Sequence, residues 1–522
     1  MVRFYKLHCI VIAIFLIVQC NLVVGAEESA DVESKRLDYV KNRERIVEEE
    51  VRQRGPSVGD LTDAERRVNF YLDEFRNHDL SRVHEYQTSR HLINHDRSFQ
   101  NGVLYKLFQR MPKGAILHAH AGAIQDLHSL VQFAVGRPDC YIFQSRPGEQ
   151  SPLEGCFRIE EVQPSDDRWK RVVKLRSQCS DTALFDQNLF ESLTLGNEDR
   201  NLDNIWNEFE QCWRRIGSLS DHPLVYRDFY RRELEAAVEA NAQVLELRTF
   251  LDFPNRDGRS ASPAEALRDL ETLLSEVQQK NPEFRLRVIY SRERSASIPQ
   301  IERYLTEAIQ LRKDFPHLLA GFDLVGREET KRTLADLAPL LIQAKVQAER
   351  AGTTLPLFLH AGETAQRGFG NIVDAVLLDT SRIGHGLSLM DHPQVRAMIK
   401  SRAIPLEICP FSSYILGNIN EISHHPARGW HRDGMCVTIN PDDPGIMGSD
   451  LALDWYLVFV EWKLSLSELK QLVCNGIIGS SLPDAEKQSV MQEWEKRWHQ
   501  WIAEIDREAQ DPANERTGSL GK

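Results

Sequence analysis

Four short segments carry residues able to hold a metal ion and move protons. Leu117-His118-Ala119-His120 places two histidines at i and i+2. On a strand such residues project from one face, so the two imidazoles can share a cation. His360 and Glu363 share the run Leu359-His-Ala-Gly-Glu-Thr364, where the glycine lets the chain turn so that both side chains face one pocket. His385 stands between glycines in Arg382-Ile-Gly-His-Gly386, a pattern that suggests close approach of the backbone to a ligand. Asp442 and Asp443 are adjacent in Asn440-Pro-Asp-Asp-Pro444. Neighbouring carboxylates repel, and a cation or a donor-rich ligand compensates them. Each motif alone is more often structural than chemical. Together, at the ends of four separate apolar runs, they describe three histidines and an aspartate around an open position. That is the donor set of a catalytic zinc site, with no cysteine in it.

Such residues need strand ends that converge. From residue 113 the chain alternates short apolar runs with helical stretches. The runs are 115–118, 244–251, 284–290, 319–325, 355–360, 382–386, 404–409 and 437–440. Each has the length and flavour of a strand buried on both faces. Helical segments 264–277, 298–311, 333–350 and 393–401 lie between them. Eight strands with intervening helices predict an α/β fold, a (β/α)8 TIM barrel. No glycine-rich phosphate loop follows the first strand, which argues against an open doubly wound sheet.

The barrel is expected over 108–127 and 187–510, with an inserted subdomain at 128–186 after the first strand. Before it, 27–107 reads as helical. Thr62 and Glu65 form a capping box that starts a helix with a Val68, Tyr71, Leu72 and Phe75 stripe. Such helices either pack on the core or pair with a partner chain. Trp494, Trp498 and Trp501 fall at helical spacing and predict a helix packed on the barrel, and 511–522 reads as a disordered tail.

The first 26 residues read as a signal peptide: Arg3 and Lys6, an apolar run from Cys9 to Val18, then Val24-Gly-Ala26 before an acidic start. The run is too short to span a bilayer, so a secreted, extracellular chain without a membrane span is expected. In an oxidising compartment Cys140 and Cys156, both in the insert, are the best candidates for a disulfide. The net charge of -13 argues against a nucleic-acid partner.

Met111-Pro-Lys-Gly-Ala115 leading into the paired histidines, the His-Ala-Gly-Glu-Thr run, Arg-Ile-Gly-His-Gly and Asp-Asp-Pro together resemble the adenosine deaminase family. The signal, the N-terminal helices and the insert are most similar to its secreted growth-factor branch. The resemblance implies a metal-dependent hydrolase barrel with one Zn2+ per chain, held by His118, His120, His360 and Asp442. It implies Glu363 as the acid that protonates the purine and His385 as the general base. Asp443, Gly326, Trp206, Phe209 and Glu293 fall where substrate contacts are expected. The substrate implied is a purine nucleoside such as adenosine or 2′-deoxyadenosine, and the N-terminal helices imply a homodimer. A cell-surface, glycosaminoglycan or receptor partner is left open.

The chain departs from the family directly after the paired histidines. A ribose-contacting aspartate, over the 5′-hydroxyl, is expected there, and Ala121-Gly122 stand in its place. Glu293 and Arg327 occupy rim positions where secreted relatives tend to carry histidine. Weaker hold on the sugar is the expected consequence, and a secreted binding or growth factor with weak or no turnover is the alternative. AMP deamination lacks a supporting basic cluster.

Overall fold

The computed structural model describes residues 37–43, 45–46, 61–87, 97–195, 204–253, 261–364 and 366–510. The expected signal peptide and tail lie outside the described residues. The chain forms two compact units, residues 1–56 and 57–522. In the first, 37–43 and 45–46 are helical with exposed side chains.

In the second unit all eight expected strands form. They are β1 (Gly114–His120), β5 (Ala242–Thr249), β6 (Arg285–Glu293), β7 (Leu319–Val325), β8 (Phe358–Ala361), β9 (Arg382–His385), β10 (Leu406–Ile408) and β11 (Val437–Ile439). Parallel pairing runs β1-β5-β6-β7 and β8-β9-β10-β11. Bridges Ala119–Asp442 and Phe322–Leu357 join the two halves into a closed barrel. Helices Pro263–Gln278, Ile298–Asp314, Leu334–Arg350 and Pro393–Arg402 follow β5, β6, β7 and β9. Capping boxes at Ser262/Glu265, Ser297/Gln300 and Thr333/Asp336 start three of them, satisfying amides that the first turn leaves unpaired.

The helix Asp63–Gln87 packs on the core. Val68 and Leu72 are fully buried, and Tyr456 donates to Asp79 at 3.1 Å. Its capping box is present, with Glu65 N donating to Thr62 Oγ1 at 3.2 Å. The tryptophan stripe lies on helix Asp484–Gln510, and each indole finds an acceptor. Trp494 donates to Pro112 O, Trp498 to Glu65 Oε1 and Trp501 to Leu107 O.

The insert contains helix His128–Val135 and an antiparallel sheet of β2 (Cys140–Phe143), β3 (Phe157–Ile159) and β4 (Trp169–Arg171), in the order β3-β2-β4. Here the structure corrects the sequence reading: Cys140 and Cys156 are both free thiols. The register pairs Cys140 with Ile159, while Phe143 N donates to Cys156 O. Three ladder steps, roughly 10 Å, separate the cysteines, beyond the ~7 Å Cα separation that a disulfide tolerates.

The strands are buried on both faces, as expected, and the barrel interior also carries charge. Arg248, Arg382, Glu246, Asp323 and Glu407 are all almost fully buried. Arg248 bridges Asp323 at 2.8 Å and Glu407 at 2.6 Å; Arg382 bridges Glu246 at 2.8 Å and also meets Glu407. Buried ion pairs contribute little net stability, because desolvation offsets their attraction. Their position beneath the histidines gives the network another use.

Candidate active site

Each motif histidine is delivered by the carboxyl end of a strand. His118 and His120 end β1, His360 lies in β8 and His385 ends β9. Asp442 follows β11, where Asp442 N donates to His118 O at 3.2 Å. Imidazole rings of His118 and His360 lie 4.7 Å apart, centre to centre, as do those of His118 and His385. A Cβ on Gly384 would sit 3.0 Å from His118 Cε1, so this glycine makes room for a site histidine instead of a ligand.

The ligand-type atoms converge in overlapping groups, each within 4.8 Å: His118, His120 and His360; His120, Asp442 and Asp443; and His118, His385, Cys409 and Asp442. Asp442 Oδ1 lies 3.2 Å from His118 Nε2 and 3.4 Å from His120 Nε2. Among the described residues, both ring nitrogens of His385 and Asp443 Oδ1 are buried without a hydrogen-bond partner, and His118 Nε2 faces only the Asp442 carboxylate. Orphaned buried polar atoms are costly, and a cation with its coordinated ligands relieves that cost. The residues therefore fit a metal ion. His385 (φ +63°) and Asp442 (φ +62°) both hold left-handed backbone conformations, uncommon for residues with a side chain and concentrated at functional sites.

Sequence reasoning missed the groups that orient these ligands. His118 Nδ1 donates to Glu407 Oε2 at 2.7 Å, leaving Nε2 free to face the cluster. Asp323 accepts from His360 N at 3.0 Å and from His360 Nδ1 at 2.6 Å. Arg248 holds both of those carboxylates in turn, and Arg382 holds Glu407. Carboxylate partners of this kind fix the tautomer and raise ligand basicity. Glu328 accepts from Gly362 N at 3.0 Å and Glu363 N at 2.8 Å, pinning the turn that carries Glu363. A signal existed: charges set inside otherwise apolar runs, two in Leu245-Glu-Leu-Arg248 and one each in Phe322-Asp-Leu324 and Leu406-Glu-Ile408. The buried thiol of Cys409, one residue after β10, also lies against the cluster.

Glu363 Oε1 lies 3.7 Å from His385 Nε2. Burial, then the charges of Asp442 and Glu328, push the Glu363 carboxyl well above the usual range. Burial likewise pushes Asp443 up, reinforced by Asp442 and Glu363. It holds His385 well below an ordinary imidazole, so that ring is neutral. Burial thus favours the proton-bearing form of the Glu363 and Asp443 carboxyls, which can donate, and the neutral form of the His385 imidazole, which can accept.

These groups line one cavity of about 710 Å3, together with Trp206, Phe209, Glu293 and Gly326. Helix Ile205–Ser220 roofs it with Trp206, Phe209 and Trp213. Gly326 has φ +100°, and a Cβ there would meet Glu293 Oε2 at 2.8 Å. Ala121 also lines the cavity. Asp443, Gly326, Trp206, Phe209 and Glu293, the residues expected from the sequence to contact substrate, all line this cavity.

A closed parallel barrel with histidines and an aspartate at its strand ends defines a metal-dependent TIM-barrel hydrolase. Residues 269–497 match the family model described as Adenosine deaminase. Adenosine deaminase 2 of Sus scrofa is 32% identical over 494 residues, spanning 90% of this chain and 94% of that one. The Homo sapiens protein of that name is 32% identical over 80% of this chain and 83% of its own length. The chain belongs to the adenosine deaminase family. In fold it is similar to the N6-methyl-AMP deaminase of Arabidopsis thaliana, with a TM-score of 0.54 and 20% identity over 75% of this chain and 98% of that one.

Proposed function

We propose that this protein deaminates adenosine or 2′-deoxyadenosine by hydrolysis, giving inosine or 2′-deoxyinosine and ammonia. The observation that carries the reading is Glu363 Oε1 3.7 Å from His385 Nε2, beside the convergent His/Asp cluster at the strand ends. Hydrolysis at C6 needs a proton delivered to the ring and another taken from water. His118, His120, His360 and Asp442 would hold zinc, the ion suited to three imidazoles and a carboxylate with an open position. When bound, zinc supplies the Lewis acidity that makes water a nucleophile near neutral pH.

The remaining steps belong to the chain. Glu363 donates its proton to the ring nitrogen beside C6, which makes that carbon electrophilic. His385 accepts a proton of the attacking water and, with Asp442, aims it; that proton passes to the exocyclic amine as the C6–N bond breaks and ammonia leaves, and the second water proton restores the Glu363 acid. Asp443 donates a hydrogen bond to a purine nitrogen, and the Gly326 backbone contacts the ring. Trp206, Phe209 and Trp213 cover the purine and sugar and exclude bulk water.

The reading extends to setting. The signal-like residues 1–26 and the similarity to adenosine deaminase 2 proteins support secretion, and depletion of extracellular adenosine would give a growth-factor-like effect. Residues 27–107 remain the proposed homodimer region. Purified protein with stoichiometric zinc, assayed for ammonia release from adenosine, tests the proposal; zinc-loaded, folded and inert protein would overturn it in favour of a binding factor.

A further inference from the structure

The turn after β7, residues 326–332, reaches three parts of the cavity at once. Glu328 pins the turn that carries Glu363. Glu329 accepts a hydrogen bond from Thr364, the residue after Glu363, and pairs with Arg327 at 3.3 Å. The Arg327 guanidinium lies 5.7 Å from the centre of the Trp206 ring, on the roof helix Ile205–Ser220. Lys331 reaches farthest. Its Nζ lies 2.9 Å from Glu210 Oε1, on the roof helix, and 3.1 Å from Glu293 Oε2, at the end of β6. All three of these side chains line the cavity. A Cβ at Gly326 would sit 2.8 Å from Glu293 Oε2 and 3.0 Å from Lys331 Nζ, so the bridge runs directly over that glycine.

Lys331 is largely enclosed, with 18% of its side chain exposed. Burial works against its charge, but Glu293 and Glu210 outweigh burial and hold its pKa above that of an ordinary lysine. The ammonium therefore stays charged and keeps two carboxylates within about 6 Å of each other. Without it those carboxylates, one on the roof and one on the barrel, would repel across the cavity. Glu210 also meets Arg214 at 3.4 Å, but that cation belongs to the roof helix and gives no tie to the barrel. Farther along the helix the fastenings run outward to the insert. Gln211 donates to Pro152 O at 3.0 Å and to Glu154 O at 2.8 Å, and Arg215 donates to Glu154 O at 2.9 Å. Trp206 and Phe209 thus sit on the stretch of helix that Arg327 and Lys331 tie to the barrel.

We infer that Lys331 is a positioning residue for the reaction. By bridging Glu210 and Glu293 it seats the first turns of the roof helix over the cavity and so holds Trp206 and Phe209 against a bound nucleoside. The inference rests on the deaminase reading for the identity of that ligand. Because its partners are these two carboxylates and not the groups that move protons, its loss acts on KM and leaves kcat in place.

Kinetics on adenosine and amide hydrogen exchange, both on the full zinc-loaded chain, test it. Lys331→Met should raise KM about three- to fivefold with kcat within about twofold, the scale of a small, partly enclosed ion-pair network. Lys331→Arg, which still spans both acids, should stay within about twofold of wild type. Adenosine is uncharged, so salt acts on the protein. Between about 0.05 and about 0.5 M salt the wild-type KM should rise about twofold as the bridge is screened, while that of Lys331→Met should stay flat or fall. In Lys331→Met the helix amides of residues 209–213 should exchange about three- to fivefold faster than in wild type. Unchanged exchange, an unchanged KM or parallel salt curves would overturn the role. Should the variant fail to fold, wild-type exchange decides: it should quicken at those amides as salt rises, and a salt-independent rate would overturn the bridge. A wild type inert on adenosine refutes the deaminase reading instead, and the exchange comparison still settles whether Lys331 seats the roof.

Discussion

Asp323 grips His360 twice, accepting from its backbone amide at 3.0 Å and from its ring Nδ1 at 2.6 Å. The same carboxylate holds Arg248 at 2.8 Å. One side chain on β7 therefore sets the position, tautomer and rotation of a ligand on β8. Asp323→Asn should weaken zinc binding about 10- to 100-fold, the usual effect of losing a partner of this kind. Asp323→Ala should in addition destabilise the fold by about 3–5 kcal/mol, because half of the Arg248 charge compensation disappears in a dry interior. Metal titration of the first variant and denaturant melts of the second check the two numbers.

His360→Ala and Glu363→Gln should separate holding the metal from moving the proton. The first should lose zinc and turnover together. The second should keep stoichiometric zinc while kcat falls by about 10²- to 10⁴-fold, since an amide cannot serve as the acid. Metal analysis beside kinetics tells them apart; unchanged zinc after His360→Ala would refute the ligand assignment.

The rate should fall at alkaline pH. Glu363 must be protonated to act, and burial with Asp442 and Glu328 raises its pKa. The active fraction is therefore full at low pH with respect to this group and is lost as pH rises through the raised value. A pH profile of kcat in the zinc-loaded enzyme should show that descending limb; a plateau up to pH 10 would contradict it.

Stability should follow a related slope. Burial lifts Glu233 to about 8. Folded protein then binds a proton that the unfolded chain has released, so this contribution is complete below the ordinary glutamate pKa. It is lost as pH rises from there through about 8. Thermal melts between pH 5 and 9 should show a steeper decline for wild type than for Glu233→Gln, by roughly 1–3 kcal/mol.

Ala121→Asp restores a carboxylate beside the sugar. KM for adenosine should drop roughly two- to tenfold, with a smaller effect for 5′-deoxyadenosine. An equal gain on both nucleosides would show that the new charge acts on the metal site instead.

Cys140 and Cys156 should be recovered as separate thiols. Peptide mapping of unreduced, denatured and alkylated protein should find both modified; a linked pair would mean that the β2–β3 register differs from the one described.

The elements of the barrel and its reacting residues were legible in the amino-acid order, because both obey local rules. Strands buried on both faces are short apolar runs, and ligands at their ends stand beside turn-making glycines and prolines. Capping boxes and the tryptophan stripe are local for the same reason. What only the tertiary structure decided are pairings across the ring. Glu407 with His118 and Asp323 with His360 join residues on different strands, and the insert's register parts two cysteines that spacing had brought together. Glu407 is the sharpest case: in sequence it is one acid between Leu406 and Ile408, and folded it meets His118, Arg248 and Arg382 from three other strands. Charge balance is a property of neighbours in space, and no local pattern encodes it.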